Sequence, residues 1–459
     1  MEQNKKLNIH FYGGVGKVTG ANFLLEQPGD GGKQFLIDCG LIQGTKSDER
    51  ENYDPFAYDV KKIDALFITH AHLDHIGRIP KLVKMGYEGP IYSTAPTMEI
   101  AEVSLADSIK LLQNEAKEVE LPPLYDENDA KKALSQWKTL EYHQPVQIGD
   151  FTIVLRDSGH ILGSAMIEFM YQGKKIVFTG DLGNSPAPLL KDTEAITDAE
   201  YMVMESVYGD RNHENREDRR LKLEDVIEET MRRGGTLMIP AFSVERTQEL
   251  LFEIENMMES SRIPLVPVYL DSPLAIAVTS IYKKYSSYFN KEANSIRLAG
   301  DGIFTFPQLH MTPTTEQSKA IMREPGRKII IAGSGMSSGG RIMHHERNYL
   351  PDPKSNLLLA GYQQVGSLGR QLQDGAKMVR IHGEDVSVNA HVESIHGYSA
   401  HKDMDHLIEF VDGTDATLKK VFVCMGEPKS SLFLAQRIKD YLGINAVVPE
   451  EGQTIEIEI

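Results

Sequence analysis

Three imidazoles and one carboxylate fall within six residues in Thr69-His70-Ala71-His72-Leu73-Asp74-His75-Ile76-Gly77, directly after the apolar run Ala65-Leu66-Phe67-Ile68. A strand ending in a tight loop would bring these side chains to one point. His70 and His72 lie two apart and share a face on extended chain. Asp74 and His75 are adjacent, so the pair can serve a neighbouring position. This arrangement suits two divalent metals side by side, and nitrogen and oxygen ligands of this kind favour zinc. Three more polar residues follow or flank apolar runs: Asp38 in Ile37-Asp38-Cys39-Gly40, His160 in Ser158-Gly159-His160-Ile161, and Asp181 in Thr179-Gly180-Asp181. Singly, each is an ordinary turn residue. Together they supply a further imidazole and a carboxylate able to bridge, and any that is buried needs a partner.

Strands must carry those residues. Strand-like runs occur at Gln34-Phe35-Leu36-Ile37-Asp38, Phe151-Thr152-Ile153-Val154-Leu155, Ser164-Ala165-Met166-Ile167-Glu168-Phe169 and Lys175-Ile176-Val177-Phe178-Thr179, divided by turns. Helical spacing covers about 97–118 and 128–138. Strands with helices on either flank predict two sheets with helices outside. From about Tyr208 the pattern becomes strand–helix alternation. An amphipathic helix through Leu223, Ile227 and Met231 precedes the strand Thr236–Pro240, followed by a helix from Ser243, a strand over 265–270 and a helix after Pro273. Lys328–Ala332 and Asn356–Ala360 each run into a glycine-rich turn. Such alternation predicts a parallel sheet covered by helices. Strands return after Met378, with helices expected near 401–411 and 431–441. The expected organisation is one domain inserted into another, with 1–207 and 379–459 as host and 208–378 as insert.

A chain of 459 residues exceeds one ordinary core. Its 41% hydrophobic and 25% charged content is that of a soluble globular protein. No apolar stretch approaches the length of a membrane span. The N-terminus passes directly into the strand-like Leu7-Asn8-Ile9-His10-Phe11-Tyr12, which leaves no room for a signal peptide. Cys39 and Cys424 are the only cysteines, so a disulfide framework is not expected and the cytoplasm is the expected compartment. The formal charge of −17 argues against a broad, non-specific nucleic-acid surface, although metal dications would reverse the sign locally. The basic stretch Arg211, Arg216, Arg219, Arg220 and Lys222 reads as a solvated face.

The ordered set Asp38, His70-x-His72-x-Asp74-His75, His160 and Asp181 resembles the metallo-β-lactamase superfamily. The resemblance implies an α/β fold, an αββα sandwich with zinc in the cleft at its edge. By the same resemblance, His70, His72 and His160 would bind a first Zn2+, Asp74 and His75 a second, and Asp181 would bridge both. Asp38 would orient the histidine loop. Met204-Glu205-Ser206-Val207-Tyr208-Gly209 and Tyr398-Ser399-Ala400-His401 resemble the acidic and histidine motifs of the β-CASP branch, the nucleic-acid-processing nucleases of this superfamily. The insert would then be a parallel-sheet α/β β-CASP domain, and Asp74, His401, Glu205 and Asp38 would serve catalysis. One motif departs. Val421-Phe422-Val423-Cys424-Met425-Gly426-Glu427 carries Met425 where the branch's RNA-processing members have a histidine for the second zinc. A thioether is a poor zinc ligand beside carboxylates, so the second zinc should be weaker or held with an extra water. Cys424, on a strand, would point to the opposite face.

Two glycine-rich turns bear on substrate. Gly333-Ser334-Gly335-Met336-Ser337-Ser338-Gly339-Gly340-Arg341 follows a strand and opens a helix, so its N–H groups could cradle a phosphate. Gly366-Ser367-Leu368-Gly369-Arg370 has the same form. The substrate-binding candidates are Ser337, Ser338, Gly339, Arg341, Gly369 and Arg370. The expected function is zinc-dependent phosphodiester hydrolysis of single-stranded RNA, with His401 protonating the leaving oxygen. DNA is the alternative substrate. A scaffold relative of reduced activity is the alternative class, and Met425 is the residue that raises both. No membrane partner is expected, and a homodimer is compatible.

Overall fold

A computed structural model describes residues 6–118, 120–298, 302–364, 366–414 and 417–459. They divide into two compact units. One contains the chain up to Ser185 with Asp192–Asn212 and His401–Ile459; the other contains Pro186–Lys191 and His213–Ala400. The chain thus returns to the first unit at His401, later than the expected 379. The reason is strand pairing: His391–Ile395 adds in parallel to Asn356–Ala360, which makes it part of the inserted sheet.

In the first unit the described residues form two seven-stranded sheets. The terminal strands close one edge: Lys6–Gly13 lies between Asn22–Glu26 and Thr454–Glu458, with Leu7 opposite Ile457 and Ile9 opposite Ile455. Alternation along Lys6–Gly13 turns Leu7, Ile9 and Phe11 inward. The two inner faces meet in an aromatic-rich core. Phe35 of the first sheet lies 4.9 Å from Phe151 and 5.4 Å from Phe169 of the second, measured between ring centroids. Each such ring contributes roughly 1.5–3 kcal/mol through burial. Helices Met404–Asp412 and Pro428–Leu442 cover the second sheet through Leu407, Val411, Leu434 and Ile438. Helix Ala95–Glu118 contacts Trp137–Thr139 of the first sheet. This is the expected αββα order.

The second unit is built on a six-stranded sheet, ordered Leu309–Met311, Val268–Leu270, Lys328–Ala332, Thr236–Pro240, Asn356–Ala360 and His391–Ile395. Every pairing is parallel. Its central strands read as unbroken apolar runs because both faces are covered. Helix Arg216–Arg233 starts where the Asn215 side chain accepts from Asp218 N, and stops at Gly234 with φ 77°.

Local expectations failed where tertiary pairing overrode pattern. The helix expected over 128–138 ends at Ser135, and Trp137–Thr139 pairs instead with Ile91–Ser93, where the Trp137 indole donates to Ser93 Oγ at 2.8 Å. The strand expected over 265–270 begins only at Val268, because Pro267 has no N–H to give the ladder. Arg219, assigned to a solvated face, is buried against Tyr398 and donates to Gly397 O at 2.5 Å. Among the described residues no helix is long and apolar enough to cross a membrane.

Candidate metal centre

Strand direction gathers the site within the first unit. Gln34–Ile37 and Ala65–Phe67 run parallel in register, so Asp38 and Thr69 leave the sheet side by side. In the second sheet Lys174–Phe178, Ala199–Met204 and Lys420–Val423 are parallel neighbours that lead into Asp181, Glu205 and Cys424-Met425. His160 follows Phe151–Asp157, fixed by Ser164 Oγ, which accepts from His160 N at 3.0 Å.

Asp38 locks the histidine loop. Its carboxylate accepts from Thr69 N at 2.8 Å and Thr69 Oγ1 at 2.7 Å, and lies 2.7 Å from His75 Nδ1. That contact leaves His75 Nε2 to face inward. Thr69 Oγ1 also lies 3.0 Å from His70 Nδ1, a positioning role that sequence reasoning missed. The signal was the hydroxyl residue directly before His-x-His. Gly40 is squeezed against the same loop: a Cβ there would lie 1.5 Å from Asp74 O.

A tetrahedral zinc bonded at about 2.0–2.1 Å requires donors about 3.3 Å apart. The observed donor separations bracket that value. His70 Nε2 to His72 Nδ1 is 3.1 Å, and His72 Nδ1 to His160 Nε2 is 3.2 Å. Asp181 Oδ2 lies 3.3 Å from His70 Nε2 and 3.5 Å from His160 Nε2. These residues form one potential metal-holding group. Beside it, His75 Nε2 lies 3.5 Å from Asp181 Oδ2 and 4.0 Å from Asp74 Oδ2. His75 Nε2 and Asp181 Oδ1 are buried without a hydrogen-bond partner among the described residues. Buried polar atoms left unpaired in a cluster of converging ligands fit a divalent cation.

The electrostatics agree. Burial, then the neighbouring His75, lowers His70; burial with His70 takes His72 well below the usual imidazole range, and burial with His401 does the same to His160. Neutral imidazole is the ligating form. Burial opposes ionisation of Asp181, but His75, His70 and His401 hold its carboxyl well below the usual range. Burial also opposes charge on His75, yet Asp181 and Asp38 raise it well above the ordinary value, and a bound dication can replace that proton as their counter-charge.

At the rim, His401 Nδ1 lies 3.0 Å from Glu205 Oε2 and 3.9 Å from Asp181 Oδ2. Glu205 Oε1 is anchored by Leu182 N at 2.6 Å. Burial would lower His401, but Glu205 and Asp181 prevail and raise it to about 9. The imidazole is partly open to solvent. Asp38, His70, His72, Asp74, His75, His160, Asp181, Glu205 and His401 all converge.

Met425 departs from its expected surroundings. The strand ends at Val423, and Met425 adopts φ 46° with its N–H donating to Gly14 O at 2.6 Å. Alternation is lost there, so Cys424 and Met425 do not face opposite ways. Both line one small cavity of about 10 Å³ with Asp38, His75 and Glu205.

The six residues assigned to substrate lie in the second unit and are largely engaged internally. Ser337 is fully buried and its hydroxyl donates to Glu346. Ser338 N donates to Ser334 Oγ at 3.0 Å, which leaves Ser338 exposed but tied. Arg341 clamps Asp271 at 2.7 Å and the carbonyls of Thr312 and Pro313. Gly369 N donates to Met336 O, and Arg370 pairs with Asp374. Gly339 keeps open space where a Cβ would stand. His345 is buried with Nε2 2.7 Å from Asp271 Oδ2, a network the sequence did not announce.

Comparison with known proteins gives the same picture. Residues 29–207 match the metallo-beta-lactamase superfamily domain, 247–372 the Beta-Casp domain, and 385–449 the Zn-dependent metallo-hydrolase RNA specificity domain. The chain is 36% identical over 425 residues to Ribonuclease TTHA0252 of Thermus thermophilus, covering 93% of this chain and 94% of that one. It is 32% identical over 460 residues to transcription termination factor FttA of Methanosarcina mazei, covering 97% of this chain and 71% of the relative. A crystal structure of a protein of unknown function from Enterococcus faecalis shares the fold, with TM-score 0.57 at 13% identity over 98% of this chain and all of that one. With a candidate ligand set gathered and the similarity spanning nearly the whole length, the chain belongs to the β-CASP branch of the metallo-β-lactamase superfamily and is an enzyme of the metallo-hydrolase type.

Proposed function

We propose that this protein is a ribonuclease that hydrolyses phosphodiester bonds in single-stranded RNA at a two-zinc centre. The observation that carries the reading is the 3.1–3.5 Å spacing between donor atoms of His70, His72, His160 and Asp181, with His401 held 3.0 Å from Glu205 beside them. The RNA-specificity match over 385–449 and the ribonuclease relative support RNA as the substrate. His70, His72, His160 and Asp181 would hold one zinc, and Asp74, His75 and Asp181 the other. Bound zinc supplies Lewis acidity that activates water near neutral pH and neutralises charge on the phosphoryl oxygens.

The protein's own groups do the rest. Asp38 fixes the His75 tautomer and, through Thr69, the entry of the histidine loop. Asp74 takes the proton of the attacking water. Glu205 holds the His401 ring by Nδ1, which leaves Nε2–H to protonate the departing sugar oxygen. In the second unit, Ser338, Gly339 and the neighbouring turn contact the RNA backbone, while Ser337, Arg341, Gly369 and Arg370 shape that turn.

The test combines metal analysis by mass spectrometry with digestion of end-labelled single strands. The purified protein should carry zinc and cut RNA, whereas His401→Ala should keep its zinc and lose at least about a hundredfold in kcat. Preference for DNA over a matched RNA strand, or inertness after zinc reconstitution, would sink the assignment.

A further inference from the structure

Three aromatic rings are exposed among the described residues: Phe242 at 44%, Tyr362 at 42% and Tyr441 at 64%. Tyr441 is accounted for by Arg437, whose guanidinium stacks on its ring at 5.2 Å. The other two leave the carboxyl ends of adjacent parallel strands, Thr236–Pro240 and Asn356–Ala360. Ligands of open parallel sheets bind beyond the carboxyl ends of the strands.

The Phe242 ring stands against the turn after Lys328–Ala332, and the segment that carries Tyr362 is bonded to the same turn. A Cβ on Gly335 would lie 2.9 Å from Phe242 Cδ2, so glycine is what admits that ring. Gln363, next to Tyr362, donates through Nε2 to Gly335 O at 3.1 Å. The backbones are fixed. Thr247 Oγ1 donates to Phe242 O at 2.7 Å, and Arg246 Nη1 crosses to Ala360 O at 2.5 Å, just before Gly361 and Tyr362. Exposed aromatic rings on anchored loops that meet at one glycine-bearing turn are poor solubility choices and good stacking surfaces.

Charge does not serve this edge as a phosphate track. The chain carries −17, and Arg341 and Arg370 are committed to Asp271 and Asp374. A sequence-tolerant apolar contact can supply affinity here that these two arginines do not. We propose that Phe242 and Tyr362 form a platform on which bases of single-stranded RNA stack, making them positioning residues for substrate. The inference rests on the ribonuclease reading above.

The experiment uses the full, zinc-loaded chain and a cleavage-resistant phosphorothioate oligoribonucleotide carrying 2-aminopurine, whose fluorescence is quenched by stacking. Wild type should quench the probe and bind it more tightly than a matched abasic strand. Phe242→Ala and Tyr362→Ala should each weaken binding about tenfold to a hundredfold and erase the difference between base-bearing and abasic strands. Phe242→Tyr and Tyr362→Phe should restore quenching, whereas Phe242→Leu, which keeps apolar bulk, should not. Alanine variants that bind and quench like wild type, in a protein that cuts RNA, overturn the platform and leave the ribonuclease reading standing. A wild type that neither binds nor cuts RNA overturns both.

Discussion

At Met425 a soft side chain occupies a position lined by hard-ligand neighbours. Its backbone sits at φ 46° and its side chain shares a small cavity with Asp38, His75 and Glu205. Histidine tolerates the left-handed region better than most residues, and its nitrogen is a better zinc donor than a thioether. Met425→His should therefore raise occupancy of the second metal position, seen as metal per chain by mass spectrometry after dialysis against limiting zinc. Unchanged stoichiometry would refute the claim that the thioether limits that position. The candidate ligands themselves were legible because each polar residue follows an apolar strand and four of them are nearly contiguous. Thr69 was not, because a hydroxyl beside a histidine has many commoner uses. Ser337 was misread because a glycine-rich turn looks alike whether its hydroxyls face solvent or, as here, a buried Glu346.

Elements place these residues through close backbone contact rather than through side-chain reach. Gly40 passes so near Asp74 that a Cβ would lie 1.5 Å from its carbonyl oxygen and 2.8 Å from His75 N. Those atoms belong to backbone held by Ala21 N and Cys39 N, which donate to Asp74 O and His75 O. Gly40→Ala should destabilise the protein by more than about 3 kcal/mol in urea unfolding and lower its zinc content, since Asp74 and His75 must move. Wild-type stability with full zinc would contradict this account. In the second unit, burial of helix Ile342–Tyr349 pushes the Glu346 carboxyl up to about 8, with the Ser337 hydroxyl only partly offsetting it. The folded state then keeps a proton that the unfolded chain, at its ordinary 4.5, releases. Stability contributed by this group is complete below about 4.5 and is lost as pH rises toward 8. Glu346→Gln should gain roughly 2–4 kcal/mol near pH 8 and nothing near pH 4.5, measured by denaturant unfolding across that range. A gain independent of pH would point to packing instead. Element type was readable wherever period and burial agreed, as in Thr236–Pro240. It failed for Trp137–Thr139, and the unit to which the strand His391–Ile395 belongs was missed, because edge pairing depends on a distant partner that no local pattern reveals.

For the whole molecule, the candidate ligands come from both sheets of the first unit: Asp74 and the three loop histidines from one, His160 and Asp181 from the other. A dication bound to all of them would tie the two layers together at one edge, beyond the aromatic core that joins them elsewhere. Ligand that binds only the folded state adds about 4 kcal/mol at a thousandfold excess over Kd. For a unit of this size that corresponds to roughly ten degrees in Tm. The chain offers its own reporter, because its single tryptophan, Trp137, is buried in the edge strand of the first sheet. Tryptophan fluorescence melting should shift down by roughly that amount when a strong chelator is added. His72→Ala should melt near the chelated wild type and respond to chelator far less. An unmoved Trp137 transition in a protein shown to have lost its zinc would mean that the ligand cluster is already closed by protein contacts alone, and the unpaired His75 Nε2 and Asp181 Oδ1 would then need another explanation.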